Sequence, residues 1–422
     1  MKQTLRQSIV LGLAAALLVA GAARADVKPG DKIDKSNVAQ IKDLVSPGVQ
    51  WCVEHGMPIR IIETKKIEWP KAYKEATEKY SGQVKLSADG RKMEGYVAGM
   101  PFPKLDPNDP LVAAKIMWNF DRKFLITDDI DIRNFDADVG SLNPDKEMTV
   151  ERHYLLDHLR RLIYTGRLYV DPKPEYKPNN DGVQYRQGLF PILEPFDLKG
   201  VGVLSYRYID PDKQDDSWLY LPGLRRVRRL SAAQRSDSLF GQDSDLDSYY
   251  GYDGHPAWMD WKFLGEKEVL GIVHGENYPV KWATGPGSFA ADEVWEKRPV
   301  YVIEGKSKFP QYAYSKRIIF IDKEAWVVLY SDIYDRAGNL WKVWINDYSF
   351  RKDVPGGKTV YTDEMGFGPA IMMIDMQLNH ATHASLPSSR FPGEEGSYFN
   401  QGEKSGTVES FFTIGHMIEA SH

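Results

Sequence analysis

Cysteine is nearly absent. Cys52 is the single one among 422 residues, so no internal disulfide forms, and it lies too far from the start to be a lipid-anchored first residue. Stability must come from a buried core. Long apolar runs are scarce as well: Ile9 to Ala20 falls short of the roughly eighteen residues that a membrane-spanning helix needs, and no later stretch reaches that length. An excess of positive charge is missing too, since the formal charge is -5, which argues against general nucleic-acid binding. Catalytic signatures are equally thin. There is no His-Glu-x-x-His and no Gly-x-Ser-x-Gly; Gly305-Lys306-Ser307 lacks the upstream glycine of a phosphate loop, because Val300 stands there. Spatial triads leave no sequence trace, so an enzyme is disfavoured rather than excluded.

What is present is an ordinary globular balance, 42% hydrophobic and 27% charged, enough for one large or two medium domains. Lys2 and Arg6 precede the Ile9 to Ala20 run, and Ala23-Arg24-Ala25 has the small residues of a signal-peptidase site. Residues 1–25 are therefore expected as a cleaved signal peptide, giving an exported periplasmic chain that begins at Asp26. Removing Lys2, Arg6 and Arg24 takes the charge from -5 to -8. Aromatic content is high, with 11 Trp and 23 Tyr, which suits either an apolar ligand or a β-rich core.

The stretch from 26 to 196 reads as a mixed region. Val38 to Val45 predicts a short helix stopped by Ser46-Pro47, and Pro70 to Tyr80 another with proline in its first turn. Ala88-Asp89-Gly90 centres a hairpin from Val84 to Val97. A helix is expected after Asp109-Pro110, and a fourth over Thr149 to Tyr164, where Leu155, Leu156, Leu159 and Leu162 share one side. The proline-rich run Asp171 to Gly182 is an exposed connection.

From 197 to 422 strand signals dominate. Val300 to Ile303, Ala313 to Ile321, Ala325 to Tyr334 and Leu340 to Phe350 are spaced as successive hairpins of an antiparallel meander. Gly200 to Tyr208 and Trp218 to Leu230 read as paired strands around Asp210-Pro211-Asp212. They feed a long loop, Ser231 to Trp261, about twice the length at which a structureless connection needs a functional reason. It carries Phe240, Tyr249, Tyr250, Tyr252, Trp258 and Trp261 beside five aspartates. Such a loop predicts a lid over, or an insertion into, one large curved sheet: an open barrel, or a sheet wrapped around a helix.

Two clusters invite chemistry. In a strand, Arg225, Val227 and Arg229 share one face and Arg226 and Arg228 the other. They serve either cross-strand pairing with Asp215, Asp216 and the loop aspartates, or a headgroup or partner contact. Asp243-Ser244-Asp245-Leu246-Asp247 alternates as calcium loops do, but Ser248 replaces the needed glycine and Gly254 the closing glutamate. No metal or cofactor is expected.

The runs Gly95-Tyr96-Val97-Ala98-Gly99-Met100-Pro101-Phe102-Pro103, Lys115-Ile116-Met117-Trp118-Asn119 and Asp197-Leu198-Lys199-Gly200-Val201-Gly202-Val203 resemble a proteobacterial periplasmic family labelled outer-membrane lipoprotein-sorting-like. Trp218 to Arg229 and Arg235 to Asp243 are similar to a segment of the wider LolA/LolB-like superfamily. The resemblance implies an α+β fold, a half-open antiparallel barrel with helices covering its concave apolar face. It also implies a carrier of a lipid-like or acylated hydrophobic ligand, working with an RND-type exporter or an outer-membrane protein. The chain is about twice the usual size of such carriers, which bears on the cargo.

These readings converge on a non-catalytic periplasmic binding protein, with 26–196 and 197–422 forming two regions or one continuous fold. The expected lid and rim residues are Tyr206, Trp218, Tyr220, Arg226, Arg228, Phe240, Tyr250, Trp258 and Trp261. A structural adaptor of an envelope transport complex is the alternative, and a polysaccharide or lipid hydrolase a more distant one.

Overall fold

The structure, a computed structural model, describes residues 27–231, 234–353, 358–391 and 396–421. The expected signal peptide and its cleavage site lie outside them.

In chain order, strand β1 (Lys32–Ile33), helix α1 (Pro47–Glu54) and strand β2 (Ile59–Ile61) come first, then α2 (Lys71–Tyr80), the small hairpin β3 (Lys85–Leu86) and β4 (Met93–Glu94), and α3 (Val112–Asp121). Ser46-Pro47 begins a helix where the sequence suggests a stop. The Ser46 side chain accepts from Val49 N at 3.2 Å, and Pro47 lacks an N–H that the first turn would leave unpaired anyway.

The main sheet comprises β5 (Asp129–Ser141), β6 (Thr149–Ile163), β7 (Val183–Leu189), β8 (Ile192–Glu194), β9 (Gly202–Tyr208), β10 (Asp216–Leu221), β11 (Arg226–Arg229) and β12 (Met259–Gly271). After these come β13 (Val294–Ser307), β14 (Lys316–Asp322), β15 (Val328–Tyr334), β16 (Leu340–Asp353), β17 (Val360–Asp375), β18 (His380–Ser385), β19 (Ser397–Phe399) and the C-terminal helix α4 (Ile414–Ala420). The helix expected over Thr149 to Tyr164 is instead β6, paired with β5 along most of its length. Its middle is buried on both faces, so its leucines need not alternate with polar residues, and their spacing imitates a helix. Likewise Trp218 to Leu230 is two strands, because Pro222-Gly223-Leu224 turns the chain and Arg225 takes a left-handed φ of 48°. β10 then pairs with β11, Trp218 opposite Arg229 and Leu221 opposite Arg226.

Antiparallel pairing runs unbroken through β12, β13, β14, β15, β16, β17, β18, β5, β6, β7, β9, β10 and β11. Strands from both sides of residue 196 therefore share one sheet. Among the described residues its outer strands, β11 and β12, do not pair with each other, so the sheet is open, and the chain joining those two edges is the long aromatic loop.

That loop reports the curvature. Tyr249 packs edge-on against Trp344 of β16 with centroids 5.8 Å apart, Asp243 N donates to Thr382 Oγ1 of β18 at 2.8 Å, and Tyr154 Oη of β6 donates to Phe240 O at 2.5 Å. Strands this far apart in the ladder touch one loop because the sheet bends around it. The opposite face carries α1. A Cβ on Gly48 would lie 2.7 Å from Val343 Cβ, whereas the neighbouring Lys342 and Trp344 face the loop, as alternation along a strand requires. A second, smaller core joins β7, β9 and β10 to the C-terminal segment through Phe190, Tyr220, Phe411, Phe412 and Met417.

Candidate functional site

The loop is fixed to one side of the sheet by charge and hydrogen bonds. Its aspartates, spaced like calcium ligands, each take a different partner. Asp243 lies 2.8 Å from His380 Nδ1 and accepts from Thr382 Oγ1 at 2.9 Å, and the hydrogen bond to Asp243 raises the His380 pKa. Asp245 accepts from Tyr314 Oη and Ser248 Oγ, both at 2.6 Å; burial pushes its carboxyl up. Asp247 accepts from Tyr312 Oη at 3.0 Å and from Arg235 Nε at 2.6 Å. Arg235 also reaches Asp215 at 2.7 Å, and Arg207 holds the same carboxylate with two bonds of 2.8 Å. Burial alone would raise Asp215, but the two guanidiniums keep it below the ordinary range. Among the described residues no cluster of His, Cys, Asp or Glu is arranged to hold a metal ion.

Toward β5, β6 and β9 the contact is different in kind. The segment from Leu239 to Tyr250 faces Phe135, Leu156, Leu159, Leu189 and Val203, and among the described residues no ion pair joins the two surfaces. Two hollows of about 40 Å³ each remain there; one reaches across to β16, where Asn346 and Asp347 line it and burial pushes the Asp347 carboxyl well up. Phe135, Leu159 and Tyr249 line both, so one layer of side chains divides them. Phe240 and Tyr250 bracket this part of the loop with left-handed backbones, φ 53° and 55°. Non-glycine residues hold that conformation at a cost of roughly 1–3 kcal/mol, and only where the surroundings impose it. Of the two expectations for the loop, a lid or an insertion, this part of it is an insertion: Tyr249, Phe240 and Leu246 supply side chains that the sheet does not.

The nominated residues fall into four places. Phe240 and Tyr250 lie at this apolar boundary. Trp258 is buried where the loop ends, its ring 4.6 Å from the Arg235 guanidinium and 4.9 Å from that of Arg207, with Nε1 donating to Pro211 O at 3.0 Å. Trp261 packs against Tyr252 in the same region. Tyr206, Trp218 and Tyr220 belong to the second core, where Tyr206 Oη donates to Phe412 O at 2.5 Å. Arg226 and Arg228 are exposed on β11 without an ion-pair partner among the described residues. Of the run, Arg229 contacts Asp216, while Asp215 is taken by Arg207 and Arg235. Sequence reasoning does not single out Phe135, Leu156 and Leu159 as the facing wall, since β6 reads as a helix. Nor does it find Arg207 and Arg235, whose shared partner Asp215 carries no spacing signal.

Fold and site together define an open, curved antiparallel barrel with its own connecting loop folded into the concavity. The chain matches the family described as "Protein of unknown function (DUF1329)" over residues 32–413 and belongs to it, in agreement with the resemblance carried by the Gly95 to Pro103 run. A Pseudomonas aeruginosa relative, uncharacterized protein PA3922, is 26% identical over 345 residues, covering 76% of this chain and 69% of that one. Among solved structures, a putative outer membrane lipoprotein-sorting protein domain from Vibrio parahaemolyticus is 17% identical at a TM-score of 0.48, over 72% of this chain and 97% of that one. A DUF1329 family protein from Desulfovibrio piger is 14% identical at 0.46, over 72% and 96%. The LolA superfamily protein NE2245 from Nitrosomonas europaea is 14% identical at 0.41, over 72% and 98%.

Proposed function

We propose that the protein is a periplasmic carrier of a lipid-like or acylated ligand, and that the ligand lies between the Leu239 to Tyr250 segment and the β5, β6 and β9 wall. The observation that carries this reading is the unequal attachment of the Leu239 to Tyr250 segment: its carboxylates are bonded toward Tyr312, Tyr314 and β18, while toward β5, β6 and β9 it meets an apolar wall crossed by one hydrogen bond, Tyr154 Oη to Phe240 O, with two small hollows against it. An acyl chain entering there gains roughly 0.8 kcal/mol per buried methylene. The existing hollows are too small for a whole chain, so the segment must move outward, releasing the left-handed backbones at Phe240 and Tyr250. Its polar anchors at Tyr312, Tyr314, Lys342 and His380 stay in place. Export rests on the Lys2, Arg6 and Ile9 to Ala20 pattern, and partnership with an RND-type exporter or an outer-membrane component on the family resemblance. No catalytic step is part of this reading.

An adaptor role has one observation in its favour: Leu224 is 55% exposed in the turn leading into β11, close in sequence to the exposed Arg226 and Arg228. Lipid extraction and mass spectrometry of the protein purified from its native periplasm separates the two. A carrier yields a stoichiometric lipid that Leu159→Trp removes by filling the hollow. Absence of lipid from the unaltered protein sinks the carrier reading and leaves the adaptor.

A further inference from the structure

Beside the hollow that Tyr250 lines is a separate, polar cavity of about 50 Å³. It is bounded by the end of α3, by Arg161 of β6, by Gln184 of β7 and by the end of the loop at Tyr252 and Asp253. Its charges pair off with one remainder. Asp121 meets Arg122 at 3.0 Å and accepts from Gln184 Nε2 at 3.0 Å. Asp253 accepts from Arg161 at 2.6 and 3.1 Å. Lys123 is left over: its Nζ donates to Phe120 O at 3.2 Å and lies 4.1 Å from the Phe120 ring centre. Among the described residues it has no carboxylate partner. Capping the C-terminus of α3 accounts for one of the three ammonium N–H groups and leaves the charge uncompensated. Burial accordingly depresses the Lys123 ammonium to about 8, outweighing Asp121 and Asp253.

The cavity and the hollow adjoin. Tyr250 lines the hollow, and its ring centre is 5.8 Å from Lys123 Nζ and 5.9 Å from the Arg161 guanidinium carbon. This aromatic ring, held on a left-handed backbone, is the partition between a polar end and an apolar one.

We propose that the Lys123 cavity receives the carboxylate of an acyl chain whose hydrocarbon part occupies the hollow under the loop, an inference that rests on the hollow being a ligand site. One unpaired cation matches one negative charge. A space of about 50 Å³ holds a few waters or one small planar anion, whereas a glycerophosphate group is several times larger. The carboxylate restores the missing counter-charge and accepts the free N–H groups of Lys123, with the strength of a charge-assisted bond.

The test uses the mature full-length protein and two fluorescent probes of the same chain, cis-parinaric acid and its methyl ester, titrated at pH 7. The acid is expected to bind about tenfold more tightly than the ester. Lys123→Met removes that preference and keeps ester affinity within about twofold; Leu159→Trp weakens both probes. Equal affinity of acid and ester for the unaltered protein, which needs no variant, overturns the carboxylate site while leaving the hollow standing. So does a preference that survives Lys123→Met. Failure of both probes to bind, or binding of both undiminished by Leu159→Trp, overturns the hollow and the carboxylate site with it.

Discussion

The two sides of the concavity hold the same loop by opposite means. Toward β14, β16 and β18, Tyr312, Tyr314, Lys342, His380 and Thr382 engage loop carboxylates or backbone through directional bonds. Arg235 ties Asp247 to the rest of the loop by an ion pair. Toward β5, β6 and β9 the Leu239 to Tyr250 segment meets leucine, phenylalanine and valine with a single hydrogen bond, from Tyr154 to Phe240 O; β6 and β9 grip the loop by charge only near its end, where Arg161 and Arg207 reach Asp253. A buried charge pair tolerates little displacement, since separating it leaves an unsatisfied charge, whereas an apolar contact is exchanged for another apolar surface at small cost. The difference teaches which way the loop can yield: away from the leucines, pivoting on the aspartates.

This contrast can be broken most severely at Arg235. Arg235→Met removes the only guanidinium on buried Asp247 and one of two on Asp215, and urea unfolding should show a loss of roughly 3–5 kcal/mol. Leu159→Ala, on the opposite wall, should cost about 2–3 kcal/mol in the same assay, the transfer loss plus an enlarged hollow. It should also shorten hydrogen-exchange protection in residues 239–250 without affecting Tyr312 and Tyr314.

Acidity sharpens the comparison at the loop's end. His255 is buried, its Nδ1 accepting from Ala257 N at 3.1 Å, and burial lowers its pKa to about 4 from 6.5. A base depressed in the folded state contributes stability that is present above 6.5 and is lost as pH falls toward 4. The stability advantage of the unaltered protein over His255→Gln should therefore shrink by roughly 2 kcal/mol between pH 7 and pH 5, at about 1.4 kcal/mol per pKa unit. Taking the difference between the two proteins cancels other titrating groups. The smallest effect is expected outside the concavity. Arg226→Glu, on an exposed side chain without an ion-pair partner among the described residues, should change stability by less than about 0.5 kcal/mol.

Local chemistry makes parts of the chain legible without any tertiary contact. The meander after residue 300 follows from β-branched and aromatic runs separated by turns. The small hairpin at Asp89-Gly90 and the first-turn proline of α2 follow from backbone preferences that act within a few residues. The loop from Ser231 is conspicuous because a structureless connection that long needs a reason. β6 misleads because burial on both faces erases the alternation that marks a strand. Ser46-Pro47 misleads because the same two residues end one element or begin another, according to whether the next residues, here Gly48 to Glu54, continue as a helix.

By itself, then, the sequence determined that this chain builds a β-rich fold stabilised by its core and that one aromatic, aspartate-bearing connection stands apart. These are properties of composition and short-range pattern. Only the tertiary structure decided that the connection folds into the sheet, that Arg207 and Arg235 share Asp215, and that Lys123 is left without a counter-charge among the described residues. They depend on residues from 8 to 139 positions apart being brought within a few ångströms, and the longer-range pairing follows from how the sheet curves, which no local pattern encodes.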